Sequence, residues 1–121
     1  MGNKKHIYHV LAILAIFFLL TADAFSGTTG KIAGIVIDAE SGQGLAGVNV
    51  VIEGTTLGAA TDLNGNFIIL MVPPGIYNVR AMMIGYKNFR YENVKVSIDL
   101  TTRLEFKLRS SVIDMGEEVT V

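Results

Sequence analysis

Residues able to do chemistry are sparse in this 121-residue chain. Its two histidines, His6 and His9, stand ahead of a run of pure hydrocarbon, and it has no cysteine. Past residue 24 there is therefore neither imidazole nor thiol. That excludes Ser-His-Asp and Cys-His nucleophile systems and zinc held by His or Cys. Carboxylates remain, and a fixed pair of them could hydrolyse a glycoside. The acids from Asp38 to Glu118 are scattered instead through turns and along the charged face of a strand, where solvated charge is the simpler role. Asp62-x-Asn64-Gly65-Asn66 has the look of a calcium loop, but an EF-hand needs Gly sixth and Glu twelfth. Counted from Asp62, those positions hold Phe67 and Pro73, so a tight turn is expected. No catalytic, cofactor-binding or metal-binding residue is predicted. Among the aromatic residues, Tyr77 alternates with Val79 and reads as core. Tyr86, Phe89 and Tyr91 cluster near a loop with Lys87 and Arg90; they are the candidate sugar- or partner-contact patch, with packing at the core margin as the alternative.

The elements that must position these residues begin after a targeting segment. Lys4 and Lys5 precede an apolar run over 10–20, and a small-x-small site follows at Ala22 and Ala24. This is the layout of a secretory signal peptide over 1–24. The run is too short for a spanning helix, which needs about 20 residues. Loss of Lys4, Lys5 and Asp23 takes the 10 basic and 11 acidic residues to 8 and 10, a net of −2. That balance offers nucleic acid no basic footprint. Half of the whole chain is apolar, well above what a disordered chain shows. A domain over 25–109 without disulfides must be held by a packed core.

No helical period appears after residue 24. Alternation recurs instead, cut by Gly-rich and Asp/Asn-Gly turns at short intervals. Strands are predicted over 31–38, 48–53, 57–61, 66–72 and 76–84, and a sixth carries Val94, Val96, Ile98 and Leu100. Residues 87–91 read either as the start of that sixth strand or as a loop. The last strand sets Leu104, Phe106 and Leu108 against Arg103, Glu105, Lys107 and Arg109, as a half-buried antiparallel strand demands. Both faces of the first strand are apolar, with Ile32 and Val36 on one and Ala33, Ile35 and Ile37 on the other. Asp62-Leu63-Asn64-Gly65 and Pro73-Pro74-Gly75 are strong turn signals. Seven short strands with turns at this spacing predict an all-β sandwich, antiparallel and of Greek-key type. Length and the doubly apolar first and fourth strands exclude a transmembrane barrel, and the lack of a crossover helix excludes βαβ units.

The order of motifs resembles a family. Gly34-Ile35-Val36-Ile37-Asp38, Ser41-Gly42-Gln43-Gly44-Leu45-Ala46-Gly47-Val48-Asn49-Val50, Gly54 to Phe67, Val72-Pro73-Pro74-Gly75-Ile76-Tyr77 and Ile84-Gly85-Tyr86 are similar to a carboxypeptidase-regulatory-like domain. The resemblance covers about residues 30–108 and implies a transthyretin-like (prealbumin-like) sandwich. It implies an accessory module without peptidase activity or cofactor. One common setting for such modules is the N-terminus of TonB-dependent outer-membrane receptors of Bacteroidetes-like bacteria, which would place the chain in the periplasm or outer membrane. A free-standing glycan- or protein-binding module is the alternative.

Residues 110–121 lose the alternation and gain acid. Glu117-Glu118-Val119-Thr120-Val121 resembles the stretch that follows this domain in TonB-dependent receptors. The resemblance implies an extended segment, the TonB box, that contacts an energy-transducer protein by strand addition. A linker or an extra edge strand is the alternative for this tail.

Overall fold

The computed structural model describes residues 3–20, 27–112 and 119–121. Asn3–Leu20 form a helix, α1. Its sequence has no proline and from Val10 on is apolar on every side, so that part has no stripe to bury, and Ile13 and Phe17 are mostly exposed. No helix among the described residues is long and apolar enough to cross a membrane.

The rest is strand. In chain order these are β1 (Gly30–Asp38), β2 (Asn49–Ile52), β3 (Gly58–Ala60), β4 (Asn66–Val72), β5 (Gly75–Met82), β6 (Phe89–Val96), β7 (Thr101–Leu108) and β8 (Val119–Thr120). Two sheets form, with orders β4-β1-β7 and β3-β2-β5-β6-β8. The expected seven-stranded sandwich is β1 to β7. Its core lies between the sheets, and the alternation read from the sequence fills it. Ile32 and Val36 of β1, Val79 and Ala81 of β5, and Phe106 and Leu108 of β7 are all buried.

Two features depart from the sequence reading, and a third decides between alternatives it left open. The sheets are not wholly antiparallel, because β1 runs parallel to β7 from Lys31↔Thr101 to Asp38↔Leu108. A parallel pair needs a long connection, and here the whole of the domain between these strands supplies it without a crossover helix. The doubly apolar β1 is thereby central, with β4 antiparallel on its other side. Second, Ile98 and Leu100 do not continue β6. The chain reverses at Ser97–Leu100, where Leu100 N–H bonds Ser97 O at 3.3 Å and Asp99 takes a φ of 59°, leaving both apolar side chains exposed. Third, residues 87–91 resolve into the start of β6, at Phe89.

Glycine is required at two places by close approach. A Cβ on Gly34 would run into the Leu104 carbonyl of β7 and press on the Phe67 ring. Gly65 has a φ of +85° in the β3–β4 turn, and a Cβ there would come within 2.5 Å of Val36 O. Asp62 closes that turn by accepting the N–H of Asn64 and of Asn66 through Oδ1, each at 2.9 Å.

Candidate interaction surface

The three aromatic residues singled out from the sequence fall at two sites. Phe89 and Tyr91 lie on one face of β6 with ring centroids 5.0 Å apart, and both turn onto Phe106 of the facing sheet. The Phe89–Phe106 pair is edge-on at 5.6 Å and 83°, and Tyr91–Phe106 stands at 5.1 Å and 66°. Phe67 completes the cluster 5.9 Å from Phe106. Edge-to-face geometry suits the ring quadrupoles, so this cluster closes the side of the sandwich where β6 meets β7. The Tyr91 hydroxyl donates to Glu105 O at 2.6 Å. Burial, and next the Glu105 charge, push the Tyr91 phenol above its ordinary pKa.

Tyr86 stands apart, in the loop before β6. Its hydroxyl donates to Asp38 Oδ2 at 2.7 Å, at the end of β1. Asp38 Oδ1 accepts the N–H groups of Glu40 and Ser41 at 2.8 and 2.9 Å. The Ser41 N–H, then the Tyr86 hydroxyl, hold the Asp38 carboxyl below the usual carboxylate range. The same bond raises the Tyr86 phenol. Tyr86, Phe89 and Tyr91 are thus half-buried, with rings or hydroxyls engaged inside the domain.

Of the tail residues, Glu117 and Glu118 lie outside the described residues. Val119 and Thr120 form β8, paired in parallel with β6 at Phe89↔Val119 and Arg90↔Thr120. Val121 extends the pairing: its N–H donates to Arg90 O at 2.9 Å and its carbonyl accepts from Glu92 N–H at 2.7 Å. Nearer β7, Lys87 N–H donates to Arg109 O at 2.8 Å and Ser111 N–H to Gly85 O at 2.9 Å. Residues 109–111 and 119–121 therefore both lie along the 85–92 stretch.

One charged group was missed from the sequence. Arg80 and Arg90 pair across β5 and β6, and Glu53, next to β2, reaches both. Glu53 Oε1 is 2.8 Å from Arg80 Nη2 as an ion pair rather than an aligned hydrogen bond, and Oε2 is 3.6 Å from Arg90 Nη1. The only signal was that Arg80 and Arg90 occupy positions opposite to the inward residues of their strands. Thr61 is the buried polar side chain among the described residues; its hydroxyl accepts Val48 N–H at 2.9 Å and donates to Leu45 O. Shallow hollows open on the surface; one of about 540 Å³ is bordered by Asn49, Met83 and Ile84. No group of three or more His, Cys, Asp or Glu is placed to hold a metal ion among the described residues.

A family model for the CarboxypepD_reg-like domain matches residues 32–121. The chain belongs to this family. The CarboxypepD_reg-like domain is 33% identical over 89 residues to carboxypeptidase D of Anas platyrhynchos, covering 74% of this chain and 6% of that protein. It is 41% identical over 67 residues to the TonB-dependent receptor SusC of Bacteroides thetaiotaomicron, covering 55% of this chain and 6% of the receptor. The CarboxypepD_reg-like domain thus spans only a small part of these curated relatives. Among solved structures, a type II cohesin–X-dockerin complex from Acetivibrio cellulolyticus matches at 26% identity and a TM-score of 0.59, over 72% of this chain and 62% of that one.

Proposed function

We propose that this domain is a non-enzymatic, exported accessory module, the N-terminal part of a TonB-dependent outer-membrane receptor. The observation that carries the reading is the likeness to SusC, over 67 residues that make up 6% of that receptor. The leader-like segment over 1–24 supports export. The family is a regulatory-like one, and the lack of Cys and of any His after His9 supports a role without catalysis. In this reading the Glu117–Val121 tail is the contact strand for an energy transducer, since an extended segment can add its backbone groups to a partner's sheet edge. The alternative, a free-standing carbohydrate- or protein-binding module, would use Tyr86, Phe89 and Tyr91. It is less well supported because those rings and hydroxyls are engaged within the domain.

The test is the reading frame past Val121, together with deletion of 110–121. A plug and barrel are expected downstream, and the deleted receptor should reach the membrane but lose energy-dependent uptake. A stop codon at that point would overturn the receptor reading, and unaltered uptake would leave residues 110–121 a linker.

A further inference from the structure

Among the described residues the two sheets have four edges, and three of them are guarded against pairing with another chain by shortness or by charge. β3 and β8 have only three and two residues, and β7 sets Arg103, Glu105 and Lys107 along its exposed face. β4 carries neither guard. It runs for seven residues, and no charged residue occurs from Leu63 to Val79. Val36 N–H donates to Gly65 O, so the ladder to β1 continues through Phe67 and Ile69, the residues paired with Gly34 and Ile32. Alternation then turns the N–H and carbonyl of Ile68 and Leu70 to the open side. Their side chains are 50% and 57% exposed, on the outer face of the sheet. Asn66 is already closed off, its N–H and carbonyl both held by Asp62. Past Ile69 the strand slips against β1, and Met71 takes a φ of 56°, so the flat stretch ends at Leu70.

We propose that β4 pairs antiparallel with β4 of a second copy of this chain, about a two-fold axis at Ile69, and so joins the two three-stranded sheets into one. The strand is complementary to itself in this register. Ile68 lies opposite Leu70 of the second copy and exchanges both main-chain bonds with it, and the axis repeats the exchange at Leu70. Each exposed apolar side chain gains an apolar neighbour directly across, and no like charges are opposed. The flanks match as well. A hollow of about 430 Å³ is bordered by Ile68 and Asp62, and one of about 330 Å³ by Leu70, Met71 and Lys31. The axis sets the Asp62 hollow of one copy against the Lys31 hollow of the other, so opposite charges come together at both ends of the paired strands. A contact in which each copy gives the same patch closes as a dimer and does not grow into a fibre.

The experiment uses the full chain, with association followed by sedimentation. The parent should show a concentration-dependent equilibrium between monomer and dimer. Ile68→Lys places an ammonium on the open edge without touching the bonds to β1, and should raise the dimer dissociation constant about tenfold or more. Cross-linking reads the register, since the chain has no cysteine of its own. An Ile68→Cys protein mixed with a Leu70→Cys protein should form a disulfide-linked dimer on oxidation, because opposed strand positions fall within disulfide reach. Neither protein should do so alone, because equal positions stand roughly 8 Å apart across the axis. A parent that stays monomeric at millimolar concentration overturns the pairing and leaves the β4 edge to a strand of some other protein. A dimer unmoved by Ile68→Lys, or cross-links no stronger in the mixture than in either protein alone, puts the contact elsewhere, the apolar run over 10–20 included, and overturns the pairing as well.

Discussion

Arg80 and Arg90 face each other in register across β5 and β6, and one carboxylate, that of Glu53, lies within 4 Å of both guanidinium groups. Like charges directly opposite in a sheet repel. Glu53 turns the repulsion into a shared ion pair, with Glu92 taking a further Arg90 nitrogen at 3.2 Å.

Glu53→Ala should therefore destabilise the domain by about 1 kcal/mol, more than a typical exposed ion pair, because two cations lose their common partner. Chemical denaturation at low salt checks this. Added salt should narrow the gap to the parent, and the double variant Glu53→Ala with Arg80→Ala should cost less than the two single changes added together.

Phe106→Ala should cost on the order of 3–5 kcal/mol. The ring is fully buried and is the common partner of Phe67, Phe89 and Tyr91. Small domains hold roughly 5–15 kcal/mol in all, so the variant should be marginal. A melting temperature near the parent's would contradict the central place given to this ring.

Gly65→Val should destabilise far more than Lys95→Ala. At Gly65 a β-branched side chain would meet both a positive φ and the Val36 carbonyl. Lys95 is exposed on β6, where changes usually stay within about 0.5 kcal/mol. The two denaturation midpoints, measured side by side, decide it.

Tyr86→Phe should raise the Asp38 pKa while leaving it below the ordinary value, because the Ser41 and Glu40 N–H bonds persist. Asp38 binds its proton more weakly folded than unfolded. Its contribution to stability is thus present above the ordinary carboxylate pKa of about 4 and is lost as pH falls through the folded value. Tyr86 runs the other way: its contribution is present below the ordinary tyrosine pKa of about 10 and is lost as pH rises through its raised value. An NMR titration of Asp38 in parent and variant checks the coupling; identical curves would contradict the Tyr86–Asp38 bond.

β7 was legible because its sequence alternates between apolar and charged or polar positions, β4 because an apolar run stands between two turn signals, and the Asp62–Asn66 turn because its chemistry is local. β6 was obscured by a change of phase. Phe89 and Tyr91 face Phe106, yet further along it is Val94 and Val96 that are buried. The strand slips by one residue around Asn93, whose φ of 58° is a conformation uncommon outside glycine. A reader counting in twos loses the face there. The Glu53–Arg80–Arg90 group was hidden for another reason: its members meet through strand pairing, and no local spacing announces a cross-strand neighbour. The candidate aromatic residues were found by type, but their division between Asp38 and Phe106 follows from which strands adjoin.

The parallel pairing of β1 with β7 also sets the order in which the domain can be completed. Residues 31–38 wait for residues 101–108, so one of the largest interfaces in the fold closes only after nearly the whole chain between them is available. Contacts so distant in sequence make folding slow, on the order of milliseconds to seconds for sandwiches of this kind. A nascent chain released before Thr101 would hold β1 with one open, doubly apolar edge, an invitation to pair with another chain. The sandwich is therefore completed only when β7 becomes available to β1.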